Sequence, residues 1–106
     1  MKSLLTLIIL LSLSRYAIAD VKEFVEPKVD GYRMDSCLSF SKDCIKPAAM
    51  QWCRNHGFSK AIYWETSTDG VGHISPTIML NSKEICRKAY CHAFNTIVCY
   101  KETNKK

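Results

Sequence analysis

Six cysteines in a short chain constrain the fold of this sequence more than any other feature. They are Cys37, Cys44, Cys53, Cys86, Cys91 and Cys99. An even number of cysteines in a short exported chain is typical of a disulfide framework, and six cysteines allow 15 different pairings. Whether that framework forms depends on export, because disulfides persist mainly in oxidising compartments.

Residues 1–19 have the pattern of a secretory signal peptide. Lys2 precedes an apolar block over residues 4–13, and the sequence AIA at 17–19 is a small-x-small cleavage site. The apolar block is shorter than the roughly 20 residues that a permanent membrane helix needs, and the cleavage site disfavours an uncleaved anchor. We therefore expect a signal peptide over 1–19 and a single secreted cysteine-rich domain over 20–106. This predicts a secreted or periplasmic protein without an integral membrane segment.

The domain that remains after cleavage is small, with 87 residues that include all six cysteines. A domain of this size buries only about 60% of the surface that its unfolded chain exposes, so its hydrophobic core is marginal. Each disulfide typically adds about 2–4 kcal/mol to the free energy of unfolding, largely by restricting the unfolded chain. Three disulfides would therefore make such a core sufficient.

The charge of this domain is mild and scattered. Without Lys2 and Arg15, thirteen basic residues stand against ten acidic ones, a net charge of +3. The basic cluster is at Lys101, Lys105 and Lys106. A nucleic-acid-binding protein normally has a basic stripe interleaved with aromatic residues. We therefore expect no nucleic-acid partner.

One amphipathic helix is predicted over residues 47–56. Proline suits the first helical position, because the N–H that it lacks would have no partner there. The residues at the spacing of one helix face are Ala49, Trp52, Cys53 and His56. Gly57 can end the helix in a left-handed conformation. We expect His56 to be a buried histidine with a satisfied hydrogen bond.

Strands are expected after the helix. The segments with strand-like composition are residues 60–66, 77–80 and 93–101, with a loop or helical turn before the last of them. In the first strand, we expect Ile62 and Trp64 on the core face and Tyr63 on the opposite face. Residues 20–36 contain turns around a short extended run. Together these segments predict an α+β fold, in which one helix packs on a small antiparallel sheet and disulfides link the helix to the sheet.

The sequence CIKPAAMQWCRNHGF at 44–58 raises the alternatives of a metal site and a reactive thiol. Its spacing, Cys44-x8-Cys53-x2-His56, lacks the close C-x2-4-C pair of structural zinc sites. A catalytic thiol beside a histidine needs a free cysteine, and six cysteines pair without remainder. We therefore expect disulfides here, with no metal, no cofactor and no catalytic residue.

Helix geometry favours one pairing of the cysteines. Cys53 lies about 10 Å along the axis from the start of the helix, whereas bridged Cα atoms lie within about 7 Å of each other. A bridge from Cys53 back to Cys44 is therefore disfavoured, and Cys99, at the end of an apolar strand, is a better partner. Two other cysteines are separated by only four residues and can close a local loop. The preferred pairs are Cys53–Cys99, Cys86–Cys91 and Cys37–Cys44.

Three sequence blocks resemble a family of small secreted cysteine-rich domains found among bacterial and plant exported proteins. The blocks are GYRMDSCL at 31–38, C-x2-PAAMQWC-x3-GF-x2-A at 44–61 and C-x4-C-x2-FNTIVC at 86–99. The likeness covers most of residues 31–100. It implies the boundaries of one small domain, and it implies neither an activity nor site residues.

Exposed aromatic residues and a polar loop are the remaining functional clues. Sugar-binding modules commonly stack sugar rings on exposed Trp or Tyr side chains. The loop at 67–76 is the longest polar connection, with Gly70 and Gly72 expected to supply positive φ, and loops on a rigid scaffold often carry binding residues. The candidate binding residues are Tyr63, Glu65, Asp69 and His73, whereas both tryptophans are expected in the core.

We therefore expect a non-enzymatic secreted binding module that recognises an extracellular glycan or protein. The alternative is a secreted inhibitor or toxin-like effector that presents the 67–76 loop to an enzyme. An inhibitor would have a protruding loop, and a sugar-binding module would have an aromatic platform. A small hydrolase is a third class, and it would need a cleft with two converging carboxylates. We expect the acids near turns and strands to be solvated, namely Asp35, Asp43, Glu65 and Asp69.

Overall fold

The computed structural model describes residues 19–102, so nearly all of the predicted signal peptide lies outside the described residues. The described part contains one helix and three small sheets, and its fold is α+β. Its elements in chain order are β1 (Ala19–Val25), β2 (Lys28–Val29), β3 (Tyr32–Met34), β4 (Cys37–Ser39), β5 (Lys42–Cys44), α1 (Lys46–Asn55), β6 (Lys60–Thr66), β7 (Thr77–Ile78), β8 (Ile85–Cys86) and β9 (Phe94–Glu102).

The largest sheet is antiparallel, with the strand order β1-β9-β6. Phe24, Ile97 and Trp64 are neighbours across its three strands, and their side chains belong to the hydrophobic core. The next residues on the opposite face are Glu23, Val98 and Tyr63. One face of this sheet therefore supports the core, and the other is the outer face.

The register of β6 corrects the predicted position of Ile62. A β-bulge lies between Ala61 and Tyr63, and it leaves Ile62 without a partner on β9. Ala61 is buried, whereas Ile62 is exposed. A bulge adds one residue to a strand and so breaks the simple alternation of faces. Trp64 still points to the core as predicted.

The structure contains the expected helix on a small antiparallel sheet, and it adds strands that the sequence did not predict. Strands β2, β3, β7 and β8 form a second sheet, in which β3 and β7 are parallel, and β4 pairs with β5 in a separate hairpin. These strands have only two or three residues, which is too short for a recognisable alternation of polar and apolar residues. The segment before residue 36 therefore contains more strand than its turn residues indicated.

Helix α1 lies within one residue of its predicted position. Its buried side chains are Ala48, Ala49, Trp52 and Cys53, and Gly57 has a φ of 85° just after the helix. The prediction of a buried His56 was wrong, because this residue lies at the exposed end of the helix. Its ring stacks on Trp52 at a centroid distance of 4.0 Å, and its Nδ1 donates to the Trp52 carbonyl at 2.8 Å.

The hydrophobic core lies between α1 and the inner face of the three-stranded sheet. Trp52 and Phe24 meet edge to face, with ring centroids 5.4 Å apart. Arg33 connects this sheet to the second one, because its guanidinium donates to the Phe94 carbonyl at 3.3 Å and to the Asn95 Oδ1 at 2.7 Å. The second sheet also packs on this core through Met34 of β3, and Arg33 adds polar contacts between the two sheets.

Three disulfides connect these elements, and no cysteine among the described residues is free. The pairs are Cys37–Cys44, Cys53–Cys99 and Cys86–Cys91, the three that the sequence favours. Cys53–Cys99 joins α1 to the central strand β9, with Cα atoms 5.5 Å apart. Cys37 and Cys44 are direct partners across the β4–β5 hairpin. Over residues 19–102, no helix is both long and apolar enough to cross a bilayer.

Candidate functional site

Two of the sequence-predicted binding residues, Tyr63 and Glu65, lie together on the outer face of the three-stranded sheet. They are two positions apart on β6, opposite Val98 and Thr96 of β9. The Tyr63 side chain is 49% exposed, and its hydroxyl donates a hydrogen bond to the Glu65 carboxylate. This pair places an aromatic ring and a carboxylate side by side on an exposed surface.

The hydrogen bond from Tyr63 to Glu65 raises the pKa of the tyrosine above its ordinary value of 10.0. Partial desolvation and repulsion from the carboxylates of Glu65 and Glu23 act in the same direction. Because the neutral form is favoured in the folded chain, its contribution to stability is present below pH 10.0 and is lost as the pH rises through the raised pKa.

We predict that Glu65→Ala lowers the pKa of Tyr63 towards its ordinary value. The substitution removes the acceptor of the hydrogen bond and the nearest negative charge, and Glu65 is exposed, so the fold should not change. A pH titration of tyrosinate absorbance measures the shift, and subtraction of a Tyr63→Phe titration isolates this one tyrosine from the others. An unchanged titration in Glu65→Ala would contradict the assigned cause.

The other two predicted residues, Asp69 and His73, are exposed on the 67–76 loop. This loop is held against the segment that precedes β9. The N–H of Ser67 donates to the Ala93 carbonyl at 2.8 Å, and the N–H of Val71 donates to the Cys91 carbonyl at 2.6 Å. The four predicted residues therefore belong to two elements, the outer sheet face and the loop.

The loop glycines have a different role from the one predicted. Neither Gly70 nor Gly72 has a positive φ. A Cβ at Gly70 would collide with the Ala89 carbonyl oxygen, and one at Gly72 would lie 2.7 Å from Cys91 Sγ. Glycine is needed here because the two backbone segments approach closely.

A cavity of about 260 Å³ lies apart from the outer face. It is formed where the segment after β3, the β4–β5 hairpin and the residues from β8 to His92 meet. Its lining residues are Asp35, Ser36, Cys37, Phe40, Ser41, Cys44, Met79, Cys86, Tyr90, Cys91 and His92. The two disulfides Cys37–Cys44 and Cys86–Cys91 are therefore part of its walls.

Asp35 is the buried charged group of this cavity, and it corrects the prediction of a solvated acid. Its side chain is only 3% exposed. Its Oδ1 accepts from the Cys37 N–H at 2.9 Å, and its Oδ2 accepts from the Thr77 hydroxyl at 2.5 Å. The backbone of Asp35 is also fixed, since its N–H donates to the Ile78 carbonyl at 2.8 Å. The carboxylate is therefore held in one orientation.

Aromatic side chains stand at the edge of the cavity. Phe40 is exposed in the turn of the β4–β5 hairpin, and Tyr90 is 68% exposed in the loop that the Cys86–Cys91 disulfide closes. Both turns are anchored at their bases by a disulfide. The rim therefore offers two aromatic rings on covalently closed loops.

His92 adds a hydrogen-bonding group to the same cavity. Its Nδ1 lies 3.0 Å from the Ser67 carbonyl oxygen. Because a carbonyl oxygen only accepts, Nδ1 carries the hydrogen, and Nε2 of the neutral ring is the acceptor. The lining thus combines hydroxyl groups, a carboxylate and an imidazole with aromatic and sulfur surfaces.

One group of potential metal ligands falls within this cavity. A carboxylate oxygen of Asp35 and the sulfur atoms of Cys86 and Cys91 lie within 4.8 Å of one another. The two sulfur atoms are bonded to each other, however, and zinc binds thiolates. The arrangement therefore does not form a thiolate metal site while this disulfide is intact.

Comparison with known proteins adds no assignment: no family model matches the chain, and no curated protein or solved structure is significantly similar to it.

Proposed function

We propose that this chain is an extracellular, non-enzymatic binding module that recognises a glycan. The observation that carries the proposal is the cavity with Phe40 and Tyr90 at its rim and polar groups inside. A sugar ring has apolar C–H faces and a periphery of hydroxyl groups. Aromatic rings complement the former, and the Asp35 carboxylate and His92 complement the latter.

The size of the cavity limits what can enter it. Pockets for drug-sized ligands have volumes of about 300–1,000 Å³, and this one is slightly below that range at about 260 Å³. It suits one ring-sized group rather than several. We infer that one sugar residue enters the cavity and that the rest of the glycan lies across the rim.

The covalent frame supports a binding role. Phe40 and Tyr90 lie in separate loops, each closed by its own disulfide. Groups that are held in place before binding lose less conformational entropy when the ligand arrives. Three disulfides also fit an extracellular protein. Export through the predicted signal peptide, and membership of the small secreted cysteine-rich family, are part of the same proposal.

The lining of the cavity does not favour a glycoside hydrolase. Such enzymes generally use two carboxyl groups about 5–9.5 Å apart. Asp35 is the single carboxylate among the lining residues. Recognition of a sugar is therefore a better match to this cavity than its hydrolysis.

A second candidate function is inhibition of an enzyme through the 67–76 loop. Ile74 is 77% exposed on this loop, and the close approach of Gly70 and Gly72 to the neighbouring backbone holds the loop in place. An exposed apolar side chain on a fixed loop suits insertion into a pocket of another protein. The cavity is favoured because it combines aromatic and polar groups at one place.

We predict that Tyr90→Ala weakens glycan binding about tenfold, the effect of losing one aromatic contact. A glycan array identifies the bound sugars, and the amide chemical shifts of the protein then give the affinity for the matching monosaccharide. Tyr63→Ala is the matched control, because it removes an exposed tyrosine from the outer face instead.

Three results would count against the cavity. Weaker binding in Tyr63→Ala alone would assign recognition to the outer face, with Asp69 and the loop tested next. If Tyr90→Ala and Tyr63→Ala bind the glycan with the same affinity, Tyr90 makes no specific contact with it and does not belong to the site. If no glycan binds, and if an enzyme is found that binds the unmodified domain but not Ile74→Ser, the inhibitor function replaces the proposed one.

A further inference from the structure

The cavity contains a buried carboxyl group with no lysine or arginine beside it in the lining. Asp35 is almost fully buried, and the lining residues include no lysine or arginine. Arg87 and Lys88 belong to the adjacent loop, but their side chains are exposed and do not line the cavity. A carboxylate in such a place attracts a cation more strongly than it would in water, because the local dielectric constant is lower.

The hydrogen bonds of Asp35 leave it able to bind a ligand. An ionised carboxylate has about four acceptor positions on its two oxygens. The Cys37 N–H and the Thr77 hydroxyl occupy one position on each oxygen. These two donors reduce the cost of burying the charge and fix the direction of the group. The remaining positions can accept donors from a ligand.

The aromatic rim adds to the preference for a cation. The face of an aromatic ring attracts an ammonium group within about 6 Å of its centre. Phe40 and Tyr90 are the aromatic residues of the lining, and each is exposed enough to meet a ligand. The imidazole of His92, when neutral, offers an acceptor rather than a competing charge.

We propose that the cavity selects a glycan with a free ammonium group, such as an amino sugar, and that Asp35 is its charge partner. This inference rests on the proposed function, because it names the class of glycan that the same cavity would take. A buried carboxylate in a cavity that is also lined by aromatic rings favours an ammonium group over a hydroxyl or an acetamide group at the same ring position. A glycan with carboxylate or sulfate groups would be disfavoured there.

Four probes test the inference: glucosamine, glucose, N-acetylglucosamine and tetramethylammonium. The three sugars share a ring and differ at one position, and tetramethylammonium carries charge without a sugar. At about pH 7, the amino group of glucosamine is mostly protonated. The amide chemical shifts of the full domain follow each titration. We expect glucosamine to bind at least about tenfold more tightly than either neutral sugar, the effect of one charge-assisted hydrogen bond.

Two substitutions separate the charge of the cavity from the general surface charge. Asp35→Asn keeps the shape of the side chain and removes its charge, and we expect it to abolish the preference for glucosamine over glucose. Asp69→Asn makes the same change on the exposed loop, and we expect it to keep that preference. If Asp35→Asn fails to fold, Tyr90→Ala is the second test, with loss of tetramethylammonium binding as the expected result.

The outcomes distinguish this inference from the proposed function. Similar affinities for all three sugars, or tighter binding of a neutral sugar, would overturn the amino-sugar inference and leave glycan recognition in place. If tetramethylammonium binds and none of the three sugars does, the cavity selects a cation, and glycan recognition is overturned. A preference for glucosamine that survives Asp35→Asn would exclude Asp35 as the charge partner. Absence of binding by all four probes would overturn both.

Discussion

Replacement of both Cys53 and Cys99 by alanine will lower the free energy of unfolding by about 4 kcal/mol. This disulfide spans 46 residues, and the entropy that a cross-link removes from the unfolded chain grows with the length of the loop it closes. The total stability of a folded domain is only about 5–15 kcal/mol, so this loss is a large fraction of it. We therefore expect the variant to unfold at a much lower urea concentration than the unmodified domain.

The matched control is the double alanine variant at Cys86 and Cys91. Their disulfide spans only 5 residues, and the same relation predicts a loss of about 2 kcal/mol. Urea unfolding followed by circular dichroism measures both variants. A larger loss for the short loop would show that contacts around Cys86 and Cys91, rather than the length of the closed loop, determine the contribution of each disulfide.

Trp52→Ala will lower the free energy of unfolding by about 3–5 kcal/mol, the usual cost of truncating a large buried aromatic side chain. Trp52 is 4% exposed, and its ring packs against those of Phe24 and His56. Its removal would leave a void between α1 and the three-stranded sheet. Thermal unfolding and the dispersion of the amide NMR spectrum measure the effect.

Tyr63→Ala is the control for this substitution. Tyr63 is half exposed on the outer sheet face, and surface substitutions usually change stability by less than about 0.5 kcal/mol. Equal destabilisation by Trp52→Ala and Tyr63→Ala would contradict the assignment of an outer face to this sheet.

Elements with clear periodicity could be predicted from the sequence. The helix has a proline at its start, a glycine after its end and a repeating apolar face, and it forms within one residue of the predicted range. Strand β6 occupies residues 60–66 as predicted, and β9 is displaced by one residue from the predicted range. Both strands were recognisable by their β-branched and aromatic residues, although the bulge in β6 disturbs its alternation.

The short strands could not be predicted, because two or three residues are too few to show an alternation of polar and apolar side chains. The pairing of β3 with β7 joins residues 33 and 77, and nothing local in either segment specifies that partner. The position of Ile62 depends on a bulge, which is set by how β6 meets β9 rather than by its own alternation.

The cavity was missed for a related reason. Asp35 precedes Cys37 in a segment rich in turn residues, and the local sequence does not distinguish a buried aspartate from a solvated one. Its burial results from contacts with Thr77 and Ala93, which are distant in sequence. A signal was present in its position two residues before a cysteine, where its side chain can accept the cysteine N–H, a common local motif of aspartate.

The pairing of β1 with β9 has a consequence for the time course of folding. The first strand of the described chain pairs with the last one, with Asp20 opposite Lys101, so the central sheet cannot close until the two ends of the described chain have met. Domains dominated by such distant contacts fold in milliseconds to seconds rather than microseconds. Cys37–Cys44 and Cys86–Cys91 close short loops, which costs less chain entropy than joining Cys53 to Cys99 across 46 residues, so the two short-range disulfides should form first. Rapid alkylation of the refolding chain should therefore trap a species with two disulfides, in which Cys53 and Cys99 are the residues still open to a thiol reagent.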